Sequence, residues 1–147
     1  MSDVTLLTGA VWGLAGAVAM VVVMNARGGD APPPFAVFWA RFLGDGRPEE
    51  AMPQALLLHA GYAVVAGAAY TVVFNAFDLG FAITAITGGV VWGLVYGVLL
   101  LVGAMVFWGK LVLDMEPDGA QRQTLVLAHL AFGLVLGVLG AAVPHLL

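Results

Sequence analysis

Four long stretches of the chain contain no charged residue, and this feature restricts the possible folds more than any other. The stretches are residues 4–26, 51–77, 79–109 and 123–147. Each can cross the hydrocarbon core of a bilayer, roughly 30 Å thick, which needs about 20 helical residues. A span in lipid must satisfy its own backbone hydrogen bonds, so it is an α-helix or a barrel strand. The stretches are apolar on every face, so they predict an all-α membrane protein, a four-transmembrane-helix bundle in a single domain over 1–147.

The overall composition agrees with a membrane protein and excludes several kinds of chemistry. Hydrophobic residues make up 62% of the chain and charged residues 10%, which is far from the soluble average. The chain has no cysteine, so disulfides, thiolate ligands and thiol catalysis are excluded. Ser2 is the only serine, and no phosphate-binding loop or nucleophile elbow is present. No carboxylate lies within a span, and intramembrane proton relays usually need one. These features predict a protein that is not an enzyme.

The positions of the basic residues predict the orientation in the membrane. Arg27, Arg41 and Arg47 lie in the first loop, and Lys110 and Arg122 lie in or beside the third. Loops rich in Lys and Arg stay in the cytoplasm. We therefore expect a protein integral to the cell membrane with both termini outside.

The second half of the chain repeats motifs of the first half. The sequence Gly-Ala-Val-Trp-Gly-Leu at 9–14 matches Gly-Val-Val-Trp-Gly-Leu at 89–94. A second motif, His-x-x-aromatic-small-x-x-x-Gly, occurs at 59–67 and again at 129–137. The pattern predicts two helical hairpins of one design that enter the membrane in the same sense, which is a parallel repeat.

Small residues spaced four apart occur in every predicted span. Such residues let helices in lipid approach closely and gain van der Waals contact. We therefore predict a tight bundle with helix-packing seams at Gly9, Gly13, Ala63, Gly67, Gly89, Gly93, Gly97, Gly133 and Gly137.

Two histidines within the spans are the candidate cofactor-binding residues. The repeat places His59 and His129 at the same depth and facing equivalent directions. Two neutral imidazoles across a bundle axis could ligate haem b. Alternatively, each imidazole bonds to a backbone carbonyl or a neighbouring side chain and links two helices. We predict no metal site and no catalytic residue.

An aromatic run in the first loop forms a further candidate element. Prolines at 32–34 precede residues 35–43, which include Trp39 and Arg41. This pattern predicts a short helix in the membrane interface, with Trp39 at headgroup level and Arg41 reaching lipid phosphates. A docking surface for another subunit is the alternative.

The repeated His-x-x-aromatic-small-x-x-x-Gly elements give the chain a resemblance to known sequences. It resembles a group of uncharacterised four-helix integral membrane proteins, common in haloarchaea, whose families carry domain-of-unknown-function labels. The resemblance implies a fold and no activity. Ala63 stands where the second copy has Gly133, which departs from the usual pattern.

The sequence favours one function and leaves two alternatives open. We expect a small subunit or assembly partner of a larger membrane complex, of which a respiratory complex is one example. The alternatives are a haem-binding redox protein using His59 and His129, and an oligomeric channel or carrier. The expected partners are the lipid bilayer and a membrane protein or a second copy, with no nucleic acid.

Overall fold

The computed structural model describes residues 5–27, 32–76 and 86–142, which form an all-α bundle of four membrane-crossing helices. No strand occurs in these three ranges. The predicted all-α four-helix membrane bundle is confirmed. The helices are α1 (Leu6–Arg27), α2 (Pro34–Phe42), α3 (Met52–Ala76, preceded by a 3₁₀ turn at Pro48–Ala51), α4 (Ile86–Gly103, continued by a π-helical segment at Ala104–Leu113) and α5 (Gly119–Ala142).

Two helices extend beyond the charge-free stretches at the end where α4 stops and α5 starts. The π-helical segment continues past 109 to Leu113 and includes Lys110, and α5 starts at Gly119 rather than 123. Long basic side chains can extend from a helix towards the headgroups, so the first charge need not end the helix. Asp114 ends the π-helical segment by taking a left-handed conformation, with φ of 50°.

The four long helices form two hairpins joined along one side. Helix α1 packs closely on α3, and α4 packs closely on α5. The hairpins meet mainly through α1 and α5, whereas the backbones of α3 and α4 approach each other much less. The bundle is therefore closed on its α1–α5 side and looser on its α3–α4 side.

Small residues lie where the two helices of each hairpin touch. A Cβ atom on Gly13 would collide with the carbonyl group of Ala63, and one on Gly93 would collide with the carbonyl oxygen of Gly133. These contacts hold the hairpin backbones close together. The small residues that form the two seams include Gly9, Gly13, Ala63 and Gly67 in the first hairpin and Gly89, Gly93, Gly97, Gly133 and Gly137 in the second. The matched seams agree with a duplication, which stays a prediction.

Large side chains fill the space between the hairpins. Trp12, Tyr70, Phe132 and Leu136 are all buried there. On the closed side, the ring of Phe132 lies against Gly16, where a Cβ would stand 2.6 Å from a ring carbon. The missing side chain of Gly16 therefore lets α1 and α5 approach across the aromatic ring.

Candidate functional site

The two histidines of the repeat lie inside the bundle, on α3 and α5. His129 is buried, and its Nδ1 lies 2.8 Å from the Leu125 carbonyl oxygen. Since a carbonyl oxygen only accepts, Nδ1 carries the hydrogen and donates it. His59 is half-buried, and its buried Nε2 has no hydrogen-bond partner among the described residues.

The surroundings of this histidine pair decide whether it suits haem b. A ligating histidine usually donates its other ring hydrogen to a carbonyl or carboxylate, as His129 does. However, a Cβ on Gly97 would collide with the His129 carbonyl oxygen, so α4 and α5 are in backbone contact at this level. Neither of the two described surface grooves is lined by His59 or His129. The donor atoms of a bis-histidine site are present, and the backbones of α4 and α5 touch beside one of them, so haem binding stays a prediction.

Three tyrosines occupy the looser α3–α4 side. The Tyr96 hydroxyl on α4 donates to the Ala66 carbonyl oxygen on α3, at 2.7 Å. The Tyr70 and Tyr96 rings meet edge to face, with centroids 5.1 Å apart. The buried Tyr70 hydroxyl has no partner among the described residues. The hydrogen bond of Tyr96 and its ring contact with Tyr70 join α3 to α4 directly, and Tyr62 is half-buried on α3.

The repeat register explains why the two sides of the bundle differ. Gly16 and Phe132 form the close contact between α1 and α5. The corresponding residues of the other copies are Tyr96 and Tyr62, on the α3–α4 side. A second large ring in place of glycine holds these helices apart. The repeated motif at 59–67 includes Tyr62 but neither Tyr70 nor Tyr96. Comparing the two copies position by position shows the exchange of Gly16 for Tyr96.

The short helix α2 packs on its own chain. The Phe35 ring lies 5.8 Å from the His59 ring, 5.9 Å from Tyr62 and 5.3 Å from Trp108 in the π-helical segment. Ala36 is fully buried. Helix α2 therefore forms an aromatic wedge over the ends of α3 and α4, next to His59. The extent of this helix is close to the predicted 35–43, but much of its surface is turned towards the bundle.

Arg41 fixes the far end of this wedge. Its Nη1 donates to the Leu113 carbonyl oxygen at 2.8 Å, at the end of the π-helical segment. A cation bound to the last carbonyl groups of a helix satisfies an otherwise free acceptor and favours the helix dipole. The sequence predicted that Arg41 reaches lipid phosphates, whereas this contact holds it at the protein backbone.

The outer surface of α4 carries a row of four valines, Val91, Val95, Val98 and Val102, which we call the valine ridge. All four are exposed. At 100° per residue they lie about half a turn from the seam glycines that face α5. Only 17% of the most apolar stretch of this span is buried, against 44% for α5. Helix α4 thus belongs to the span that the rest of the chain covers least.

The two Trp residues of the repeated motif also differ in burial. Trp12 is 4% exposed in the core, whereas Trp92 is 41% exposed on α4. Both Trp residues stand directly before a seam glycine, Gly13 or Gly93, but only Trp12 is enclosed by the bundle. His145 and Asp78, the charged residue that separates the second and third charge-free stretches, lie outside the described residues.

Comparison with protein-family models, curated proteins and solved structures gives no match. The resemblance to haloarchaeal four-helix membrane proteins therefore stays a prediction. The class that the fold defines is a four-helix integral membrane protein, and its function has to be argued from its surfaces and its buried residues.

Proposed function

We propose that the protein is a non-enzymatic membrane subunit that binds a transmembrane helix of a partner protein along the valine ridge. The observation that supports this most is the exposure of α4, which belongs to the most apolar of the four candidate spans and to the least buried one. The bundle itself is held by backbone contacts at glycine seams. A tight bundle with one helix less covered than the others is the form expected of an assembly partner.

The spacing of the valine ridge suits a partner helix. Its residues are four, three and four apart, which is the repeat of knobs-into-holes packing between helices. Lipid tails are as apolar as valine, so a partner must gain its affinity from close packing. Valine has few side-chain rotamers and loses little entropy when it packs. A row of four valines is therefore a rigid contact surface that loses little side-chain entropy when a partner binds.

The proposal also gives the chain an orientation, with its basic end in the cytoplasm and both termini outside. One end of the bundle, which we call the basic end, carries all five basic residues: Arg27, Arg41, Arg47, Lys110 and Arg122. Arg27 bonds to Gln123 at the start of α5, and Arg41 bonds to Leu113 at the end of the π-helical segment. The arginines of the first loop thus share an end with the third loop, as the positive-inside rule would require.

The first experiment is the intact mass and visible spectrum of protein extracted in mild detergent from its native membrane. We expect the 15.2 kDa chain to run with at least one different protein and without colour. A lone chain would contradict the proposal. A complex of identical copies would favour an oligomeric channel or carrier, which solute flux into liposomes tests. A Soret band lost in His59→Ala or His129→Ala would favour a haem protein despite the tight surroundings.

The contact surface can be tested with two variants that match by position in the repeat. Val98→Trp places a large ring on the valine ridge, and Val18→Trp does the same at the corresponding exposed position of α1. We expect Val98→Trp to lose the partner and Val18→Trp to keep it in the same extraction. Equal retention by both variants would show that the ridge is not the contact surface.

A further inference from the structure

A groove runs along the outside of the bundle near the basic end, between the end of α1 and the first half of α5. Its volume is about 440 Å³, within the usual range of ligand sites. Leu127, Leu130, Ala131 and Leu134 line it from one face of α5. Val23 and Ala26 of α1 and Leu94 of α4 complete its walls. The short side chains of Ala26 and Ala131 leave room where longer ones would close the groove.

A cation lies at one end of this apolar groove. Arg27 is part of the lining, and its Nη2 donates to the Gln123 side-chain oxygen at 3.0 Å. Gln123 is neutral, and the one ion pair among the described residues is Arg47–Glu50. No described carboxylate therefore neutralises the guanidinium of Arg27, which is exposed.

The order of these groups along the membrane normal is that of a phospholipid. Gln123 lies about one helical turn before Leu127, and Leu127 lies roughly 10 Å from Leu134 at 1.5 Å per residue. The cation and the amide are thus at headgroup level, and the apolar walls extend below them at the depth of the acyl chains. Clusters of basic residues beside transmembrane helices favour anionic lipids.

We propose that this groove binds one phospholipid with a net negative headgroup. Arg27 and Gln123 hold its phosphate group, and the walls formed by α1, α4 and α5 hold an acyl chain. The guanidinium supplies the preference for an anionic lipid, because a zwitterionic headgroup carries its own cation. The short side chains of Ala26 and Ala131 supply the room for the chain.

The test uses the whole protein in vesicles of mixed phosphatidylglycerol and phosphatidylcholine, with native mass spectrometry of the lipids that stay bound after extraction. We expect the unaltered protein to retain phosphatidylglycerol in preference to phosphatidylcholine. Arg27→Gln should lower that preference about five-fold, the effect of about one favourable cation. The control is Arg47→Gln, which removes the same charge from an exposed position in the loop and should leave the preference unchanged.

Filling the groove tests the acyl-chain part separately. Ala131→Leu should reduce retention of both lipids while leaving the fold and the charge intact. Equal retention of the two lipids by the unaltered protein, or an equal loss in both arginine variants, would overturn the proposal. Full retention in Ala131→Leu would overturn the groove as the site. Displacement of the lipid by free inorganic phosphate would show an anion site rather than a lipid site.

Discussion

Single glycine and tyrosine residues determine how close the helices come. A glycine in a seam acts through its missing Cβ, which lets two backbones touch. A tyrosine at the matched position does the reverse and also supplies a hydroxyl that needs a partner. Gly16 and Tyr96 are the clearest case, because they correspond in the repeat and lie on opposite sides of the bundle. The shape of the bundle thus depends on a few side chains rather than on overall hydrophobicity.

The seam glycines should tolerate no large side chain, whereas an exposed glycine should. In Gly93→Leu the new side chain would meet the Gly133 carbonyl oxygen in backbone contact, and overpacking typically costs about 1–3 kcal/mol or more. We expect low yield, poor monodispersity and a lowered melting temperature in detergent. Gly61→Leu is the control, since a Cβ there meets nothing within 4 Å. Normal behaviour of Gly93→Leu would contradict the seam.

Removing the hydroxyl group should lower the stability of the protein at Tyr96 but not at the adjacent Tyr70. Tyr96→Phe loses the bond to the Ala66 carbonyl, and a hydrogen bond between membrane helices contributes about 0.6 kcal/mol on average. Tyr70→Phe removes a buried hydroxyl that has no described partner, so it should leave stability unchanged or raise it. Thermal unfolding of both variants in one detergent measures the difference. A larger loss in Tyr70→Phe would mean that its hydroxyl is bonded after all.

Among the helices, α2 is the element that joins parts of the bundle distant in sequence. Its aromatic wedge contacts α3 and the π-helical segment, and Arg41 binds the end of that segment. π-Helical turns are rare and occur often at functional sites. Here the π-helical segment contributes Trp108 to the wedge and ends at the carbonyl group that Arg41 binds.

Loss of the Phe35 ring should release α2 from the bundle. Phe35→Ala removes the contacts with His59, Tyr62 and Trp108, so the amide hydrogens of α2 should exchange faster with solvent. Leu43→Ala, just beyond the helix at an exposed position, is the control and should change little. Hydrogen exchange followed by mass spectrometry measures both. Unchanged exchange in Phe35→Ala would show that other contacts hold α2.

The positions of the helices could be predicted from the sequence more completely than the surfaces on which they pack. Runs without charge indicated all four spans, and the prolines before Phe35 indicated the start of α2. The packing of α2 could not be predicted, because an aromatic run beside an arginine suits a lipid interface and a protein surface equally. The hydrogen bond of His129 goes to the Leu125 carbonyl oxygen within α5, so it does not form the link between two helices that the sequence also allowed. The backbone contact between Gly97 and His129 depends on the packing register of α4 and α5, which only the structure shows.

In the whole molecule, the two helices of each hairpin pack in the same way, through small residues. The contacts between the two hairpins differ on the two sides of the bundle. The α1–α5 side is closed by Gly16 and Phe132, and the α3–α4 side is held by tyrosines and covered by the aromatic wedge. This arrangement places the lipid groove on one side of α4 and the tyrosines on the other, with the valine ridge facing outward. The two proposed surfaces, one for a lipid and one for a partner helix, thereby lie on separate parts of the bundle.

The orientation of the whole molecule can be measured directly because the chain has no cysteine. A single cysteine introduced as Ser2→Cys should react with a membrane-impermeant reagent from outside the cell. Asp45→Cys, in the first loop at the basic end, should react only after the cytoplasmic side is opened. The reverse labelling pattern would show that both termini are cytoplasmic.

Two hydrogen bonds, made by Arg41 and Tyr96, join the two hairpins. They suggest that the two halves of the chain can be produced separately and still assemble. Each bond joins a residue of the first half to one of the second, Arg41 to Leu113 and Tyr96 to Ala66. Each half also contains an even number of spans, so each can insert in its final sense alone. We therefore expect residues 1–78 and 79–147, produced as separate chains, to complement each other in one membrane. Reporter fragments fused at that break would then register assembly without disturbing the basic end.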